Sequence, residues 1–170
     1  MTRARRPDRL FCACALLAVL AAAACETKDL APAGAQPPSG LGGTIERTSQ
    51  SGPVTATVRV SPKAPRLGDL LTLELSVEAE AGVDVEMPAF GDALGAFTIV
   101  QFAPSSQVTP SGGTHATQRY VLDTPMSGKQ TLPSLLVEFT DRRPGQSQDA
   151  GSATHELLTE EISLEVASVL

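Results

Sequence analysis

The stretch VTATVRVSPKAPRLGDLLTLELSVEA, residues 54–79, decides the fold class. In its first seven residues Val54, Ala56, Val58 and Val60 share one face, and Thr55, Thr57 and Arg59 share the other. Side chains along a strand alternate with a period of two, so this is the pattern of a strand buried on one side. Leu71, Leu73, Leu75 and Val77 repeat it, opposite Thr72, Glu74, Ser76 and Glu78. Pro62, Pro65 and Gly68 lie between the two runs and punctuate a turn.

Toward the C-terminus the same period continues. VDVEM, residues 83–87, sets Val83, Val85 and Met87 opposite Asp84 and Glu86, and Pro88 stops it. AFTIVQF, residues 96–102, is apolar on both faces, which predicts a strand buried on two sides with no clear alternation. Further strands are predicted at HATQRYVLD (115–123), SLLVEFTD (134–141) and EEISLEVASV (160–169). THELLTEE, residues 154–161, reads as a single helical turn, and PSSQVTPSGGT (104–114) and RRPGQSQDAGSAT (142–154) read as surface loops. Short strands broken by Gly and Pro, with no run of 3.6 period, predict an all-β domain over residues 52–170. Its expected form is an immunoglobulin-like antiparallel β-sandwich of about seven strands. The Cys-Trp-Cys spacing of true immunoglobulin domains is absent, because the chain has no Trp. Aromatic residues make up 4% of it, so Val, Leu, Ile and Ala must build the core.

Toward the N-terminus the composition changes twice. Residues 25–51 are rich in Pro, Gly, Ser and Ala, a composition that buries too little apolar surface to offset ordering entropy, and they are expected to form a flexible tether. Residues 1–24 place Arg3, Arg5, Arg6 and Arg9 before an apolar run from Leu10 to Ala24, the arrangement of a signal peptide. Fifteen apolar residues are short of the roughly 20 that cross a bilayer. LAAAAC, residues 20–25, resembles the lipobox of bacterial lipoproteins, which implies that Cys25 carries diacylglycerol and becomes the first residue of the mature chain. The alternative is an ordinary secreted protein with an unmodified Cys25. A doubly or triply acylated Cys25 would hold the protein to a membrane, since each buried methylene contributes about 0.8 kcal/mol. Glu26, in the place where Asp favours inner-membrane retention, implies sorting to the outer membrane, facing the periplasm. Cys12 and Cys14 leave with the leader, so the mature chain has one cysteine and no internal disulfide.

Charge and motif content narrow the chemistry. Loss of four arginines and one aspartate with the leader leaves 9 basic and 18 acidic residues, net −9, which disfavours nucleic acid as a partner. His115 and His155 stand forty residues apart without metal-ligand spacing, and no nucleophile elbow or phosphate-binding glycine pattern occurs. Asp84 and Glu86 share the polar face of one strand as a solvated pair. TDRRPG, at a strand end, reads first as a charged loop start; if the strand continues, Arg142 and Arg143 point to opposite faces, which would let one pair inward with a carboxylate. No catalytic residue, metal or cofactor is expected, and the residues that bind a partner are not legible.

Two segments together resemble the N-terminal immunoglobulin-like repeats of the BatD, or aerotolerance, proteins of bacterial envelopes. One is residues 54–79; the other is YVLDTPMSGKQTLPSLLVEFTD, residues 120–141, where Tyr120, Leu122, Pro125, Gly128, Pro133, Val137 and Phe139 fall at similar spacings. VDVEMPAFGDALGAFTIV, residues 83–100, is similar to the region connecting them. The resemblance implies a non-enzymatic periplasmic interaction module working beside von Willebrand factor A domain proteins and a MoxR-type ATPase. The expected partners are therefore a membrane, through lipidated Cys25, and an envelope protein met through strand addition at an open sheet edge. A ligand- or glycan-binding module would instead need two or more of Phe90, Phe97, Phe102, Phe139 and Tyr120 exposed on one face. A hydrolase would need a cleft joining His115 or His155 with a serine and a carboxylate.

Overall fold

The computed structural model describes residues 42–145 and 153–169. The leader, Cys25 and the tether up to residue 41 lie outside the described residues. The described residues form eleven strands, and every pairing between these is antiparallel. They are β1 (Ile45–Ser51), β2 (Val54–Ser61), β3 (Leu70–Ala79), β4 (Val83–Glu86), β5 (Ala93–Leu94) and β6 (Phe97–Val108), followed by β7 (Thr114–Asp123), β8 (Gly128–Leu132), β9 (Leu136–Asp141), β10 (Thr154–Leu158) and β11 (Ile162–Val166).

The larger sheet has the order β1-β2-β3-β7-β6-β5 and the smaller β10-β9-β4, with β11 and β8 as a separate pair. In chain order, β2, β3, β7 and β6 take the places of strands A, B, E and D of a constant-type immunoglobulin sandwich. β4, β9 and β10 take those of C, F and G. The seven expected strands are all present, and β1, β5, β8 and β10 are additional or newly assigned. The alternating Val and Leu positions turn inward as their period requires: Val54, Ala56, Val58, Val60, Leu71, Leu73, Leu75 and Val77 are all buried. They form one cluster with Val83, Val137, Phe139 and Leu157 of the smaller sheet and Leu132, Ile162 and Leu164 of the β8–β11 pair. After β11, the Leu67 amide donates to the Ala167 carbonyl and the Ala167 amide to the Pro65 carbonyl, both at 2.9 Å, which ties the segment after β11 to the β2–β3 turn.

Four sequence expectations are corrected. Residues 45–51, assigned to the tether, form edge strand β1; only Ile45 on it packs against the core, so no apolar alternation marks it. Residues 154–158, read as a helical turn, are strand β10, with Leu157 buried and Leu158 outward, paired residue for residue with β9. The loop assigned to 104–114 is the outer half of β6 and a turn at Thr109–Gly113, closed by the Thr109 amide on the Gly113 carbonyl at 2.8 Å. Gly113 is obligatory there, since a Cβ would overlap the Ala79 carbonyl.

AFTIVQF, too, differs from expectation: it is not buried on two sides. A β-bulge falls between Ile99 and Gln101, where Val100 is an extra residue without a partner and is 59% exposed. The extra residue resets the alternation, so Phe97, Ile99 and Phe102 all face inward although Ile99 and Phe102 are three apart. The ambiguity of the sequence is the signature of this bulge.

Candidate functional site

Two surfaces of the sandwich carry chemistry, and both belong to the larger sheet. The first is its β6 margin. β5 pairs only with Phe97 and Thr98, and the Ile99 amide binds the Asp92 carbonyl at 3.0 Å. From Gln101 to Val108, β6 therefore has β7 on one side and no strand on the other among the described residues. A strand in that position presents unpaired backbone donors and acceptors, which natural proteins usually blunt with charge. The other open edges follow that rule, with Glu46 and Arg47 on β1, Asp84 and Glu86 on β4, and His155 and Glu156 on β10. The twelve residues of β6 carry no charge, and Pro104 is the one residue in the open part that lacks an amide donor.

An aromatic stack stands beside this edge. Tyr120 is buried on the inner face of β7, Phe102 lies against it with ring centroids 5.0 Å apart, and Phe90 stacks on Phe102 at 4.6 Å. Phe90 is 55% exposed. The loop that carries it is fixed from below: the Tyr120 hydroxyl donates to Gln118 Oε1 at 2.6 Å, and Gln118 Nε2 donates to the Pro88 carbonyl at 3.0 Å. Burial pushes the Tyr120 hydroxyl pKa up, which keeps it a donor. Val108, 77% exposed, extends the apolar margin along the same strand face as Phe102. The remaining aromatics among the described residues, Phe97 and Phe139, are core residues, so no pair of exposed rings on which a sugar could stack is formed there.

The second surface is the outer face of the larger sheet, where register arranges polar residues in three rows across the strands. Glu46, Arg59, Glu74 and Arg119 form a row of alternating sign. Thr48, Thr57, Ser76, Thr117 and Ser105 form a row of hydroxyls beside it. Gln50, Thr55, Glu78, His115 and Gln107 form the third. The short hydroxyl row lies between two rows of long side chains, so the face has a trough of about 310 Å³ around Thr57, Ser76 and Thr117. His115 is held at both ring nitrogens, Nε2 with Ser76 Oγ at 2.9 Å and Nδ1 with the Gln107 amide at 3.1 Å. Arg59 donates to Glu46 at 2.7 Å, and this bond raises the guanidinium pKa further.

The other residues of interest separate. Cys25 lies outside the described residues. His155 is on β10, stacked on Phe139 at 5.2 Å, and shares no site with His115. Asp84 pairs with Arg142 at 2.7 Å, leaving Glu86 in a cross-strand row with Glu138 and Glu156 on the outer face of the smaller sheet. Among the described residues no group of three or more His, Cys, Asp or Glu is placed to hold a metal. The two arginines divide although β9 ends at Asp141, before either of them. Arg143 turns inward and makes a two-pronged contact with Asp141 plus a 2.6 Å bond to Glu80, while Arg142 stays outside with Asp84. The Arg143 side-chain bonds hold the Asp141 carboxyl below its ordinary pKa. Gly82, at φ +83°, lets the β3–β4 turn pass against Arg143, whose Cγ would lie 3.2 Å from any Cβ there. This network is a structural clamp between the β3–β4 turn and the end of β9.

Compared with protein-family models, curated proteins and solved structures, the chain matches none.

Proposed function

We propose that this chain is a lipid-anchored, non-enzymatic protein of the bacterial cell envelope that serves as a protein–protein interaction module, similar to the periplasmic repeats of BatD-type proteins. In this reading Cys25 carries the acyl chains, the following residues span the distance from the outer membrane, and the sandwich faces the periplasm. The partner is an envelope protein, of the von Willebrand factor A class that the resemblance implies. It contributes an extended strand to the open edge of β6 while an apolar side chain covers Phe90.

The observation that carries the proposal is the uncharged β6 edge from Gln101 to Val108 with a prearranged aromatic beside it. Strand addition draws affinity from main-chain hydrogen bonds and specificity from alternate side-chain contacts, and both are available along this margin. Exposed aromatics in fixed positions are the residues that most often dominate binding energy. Non-enzymatic action is supported by the surroundings of Ser76, which is bonded to His115 but lies in mid-strand, where β3 is paired with β2 on one side and β7 on the other. Its neighbouring amides serve the ladders, which leaves acyl transfer without the oxyanion donors it depends on.

Crosslinking and co-purification from detergent-solubilised envelopes test the proposal. One partner should be recovered with the wild-type protein and lost from Phe90→Lys and Val108→Lys, whose exposed positions leave the fold intact. Repeated recovery of the lipoprotein alone, or equal recovery of the partner with both variants, would overturn it.

A further inference from the structure

We infer that the trough on the outer face of the larger sheet is a binding site for an extended, uncharged glycan chain. Its floor is the hydroxyl row, of which Thr57, Ser76 and Thr117 line the depression itself. Neighbouring strands lie about 4.7–4.9 Å apart, so the row offers one hydroxyl per strand over roughly 19 Å. A β-linked pyranose chain advances by a similar distance per ring, so successive sugars laid along the row meet the same kind of group. Each Ser or Thr hydroxyl both donates and accepts, as each sugar hydroxyl does, and the pairing works in either sense.

The walls say what charge the chain carries. Along one side Glu46 and Arg59 neutralise each other at 2.7 Å, and Glu74 lies between Arg59 and Arg119, so this wall offers hydrogen-bonding groups without a net field. On the other side the His115 ring is bonded to Ser76 and Gln107, and Glu78 is its cross-strand neighbour. An anionic polymer would meet Glu78, which has no Lys or Arg in its row, whereas a neutral chain disturbs neither the Glu46–Arg59 pair nor the bonds that hold His115. No aromatic residue lines the trough, so affinity rests on hydrogen bonds exchanged against water and is weak for each sugar, accumulating over the row. This site is independent of the β6 margin, since its floor points to the opposite face of the sheet from Phe102.

Native affinity electrophoresis of the full-length, detergent-solubilised protein tests the inference, with hydroxyethyl cellulose as the neutral probe and carboxymethyl cellulose as the anionic one. Retardation by the neutral polymer is expected, with loss of it in Thr57→Val/Thr117→Val, which keeps side-chain shape and strand propensity while removing two hydroxyls. Phe90→Lys should be retarded like the wild type. Three results would overturn the inference: no retardation of the wild type, equal retardation of the double variant, or loss of retardation in Phe90→Lys. If the valine variant unfolds, Ser76→Ala and His115→Gln carry the same comparison.

Discussion

Replacing Phe102 should damage this domain far more than deleting the bulged residue near it. Val100 is 59% exposed and has no partner on β7, so Val100→Ser should change stability by no more than about 0.5 kcal/mol. Deletion of Val100 leaves Ile99 and Phe102 two apart, so regular alternation still turns both inward, and the pairs Ile99–Leu122, Gln101–Val121 and Phe102–Tyr120 follow one another without a shift. Phe102→Ala keeps the bulge and removes the ring. Phe102 is part-buried, so the lost burial is about half of the 1.5–3 kcal/mol of a fully buried side chain. Its contacts with Phe90 at 4.6 Å and Tyr120 at 5.0 Å add about 0.5–1.5 kcal/mol each. The total is about 2–4 kcal/mol, equivalent to a fall in Tm of about 8–16 °C for a domain of this size. Urea unfolding followed by far-ultraviolet circular dichroism of wild type, the Val100 deletion and Phe102→Ala separates the cases. A deletion variant that lost as much stability as Phe102→Ala would refute Val100 as an extra residue in an otherwise regular ladder.

Three further outcomes follow from the same structure. Tyr120→Phe leaves the buried Gln118 Oε1 without its donor and should cost about 1–3 kcal/mol in chemical denaturation, together with faster amide exchange in the Pro88–Asp92 loop. Because the folded pKa of Asp141 lies below its unfolded value of 3.8, the contribution of its arginine pair is present above that value and is lost as pH falls through the folded one. Asp141→Asn should therefore lower stability at neutral pH and flatten the acid limb of stability against pH, measured as the urea midpoint at a series of pH values. Cys25→Ala should release the domain from membranes or leave the leader uncleaved, and labelled palmitate that still entered this variant would contradict the anchor.

What the sequence made legible was the part of the fold written in short-range alternation. β2, β3, β4, β7, β9 and β11 each bury one face against a neighbour, and Val54–Val60 or Ile162–Val166 show that directly. The missed strands are those whose inner face runs past the smaller sheet or whose signal is mixed. β1 has polar residues on both faces, and the outer half of β6 carries Pro and Ser where a loop is the natural inference. In β10 the adjacent Leu157 and Leu158 imitate a helical face, yet only Leu157 enters the core. The candidate surfaces depend on register between strands distant in sequence. Thr48, Thr57, Ser76, Thr117 and Ser105 are unremarkable until pairing lines them up, and Phe90 becomes an exposed anchor only once Gln118 and Tyr120 fix its loop. One signal was available early, since the absence of charge from Phe97 to Val108 could have marked an unprotected edge. The division of Arg143 and Arg142 was not legible in this way, because β9 ends at Asp141 and the cluster reads more naturally as a charged loop start, yet each arginine pairs with a carboxylate.

Partner binding by this domain stands or falls on the β6 margin. A photoactivatable benzoylphenylalanine placed at Val108 or Phe90 in intact cells, with Glu156 on the outer face of β10 as the control, measures it directly. Val108 and Phe90 should each give the same single adduct with an envelope protein, lost when Cys25→Ala releases the domain from its membrane, and Glu156 should give none. Adducts from Glu156 alone, or none from either β6-margin position, would contradict the interaction module proposed.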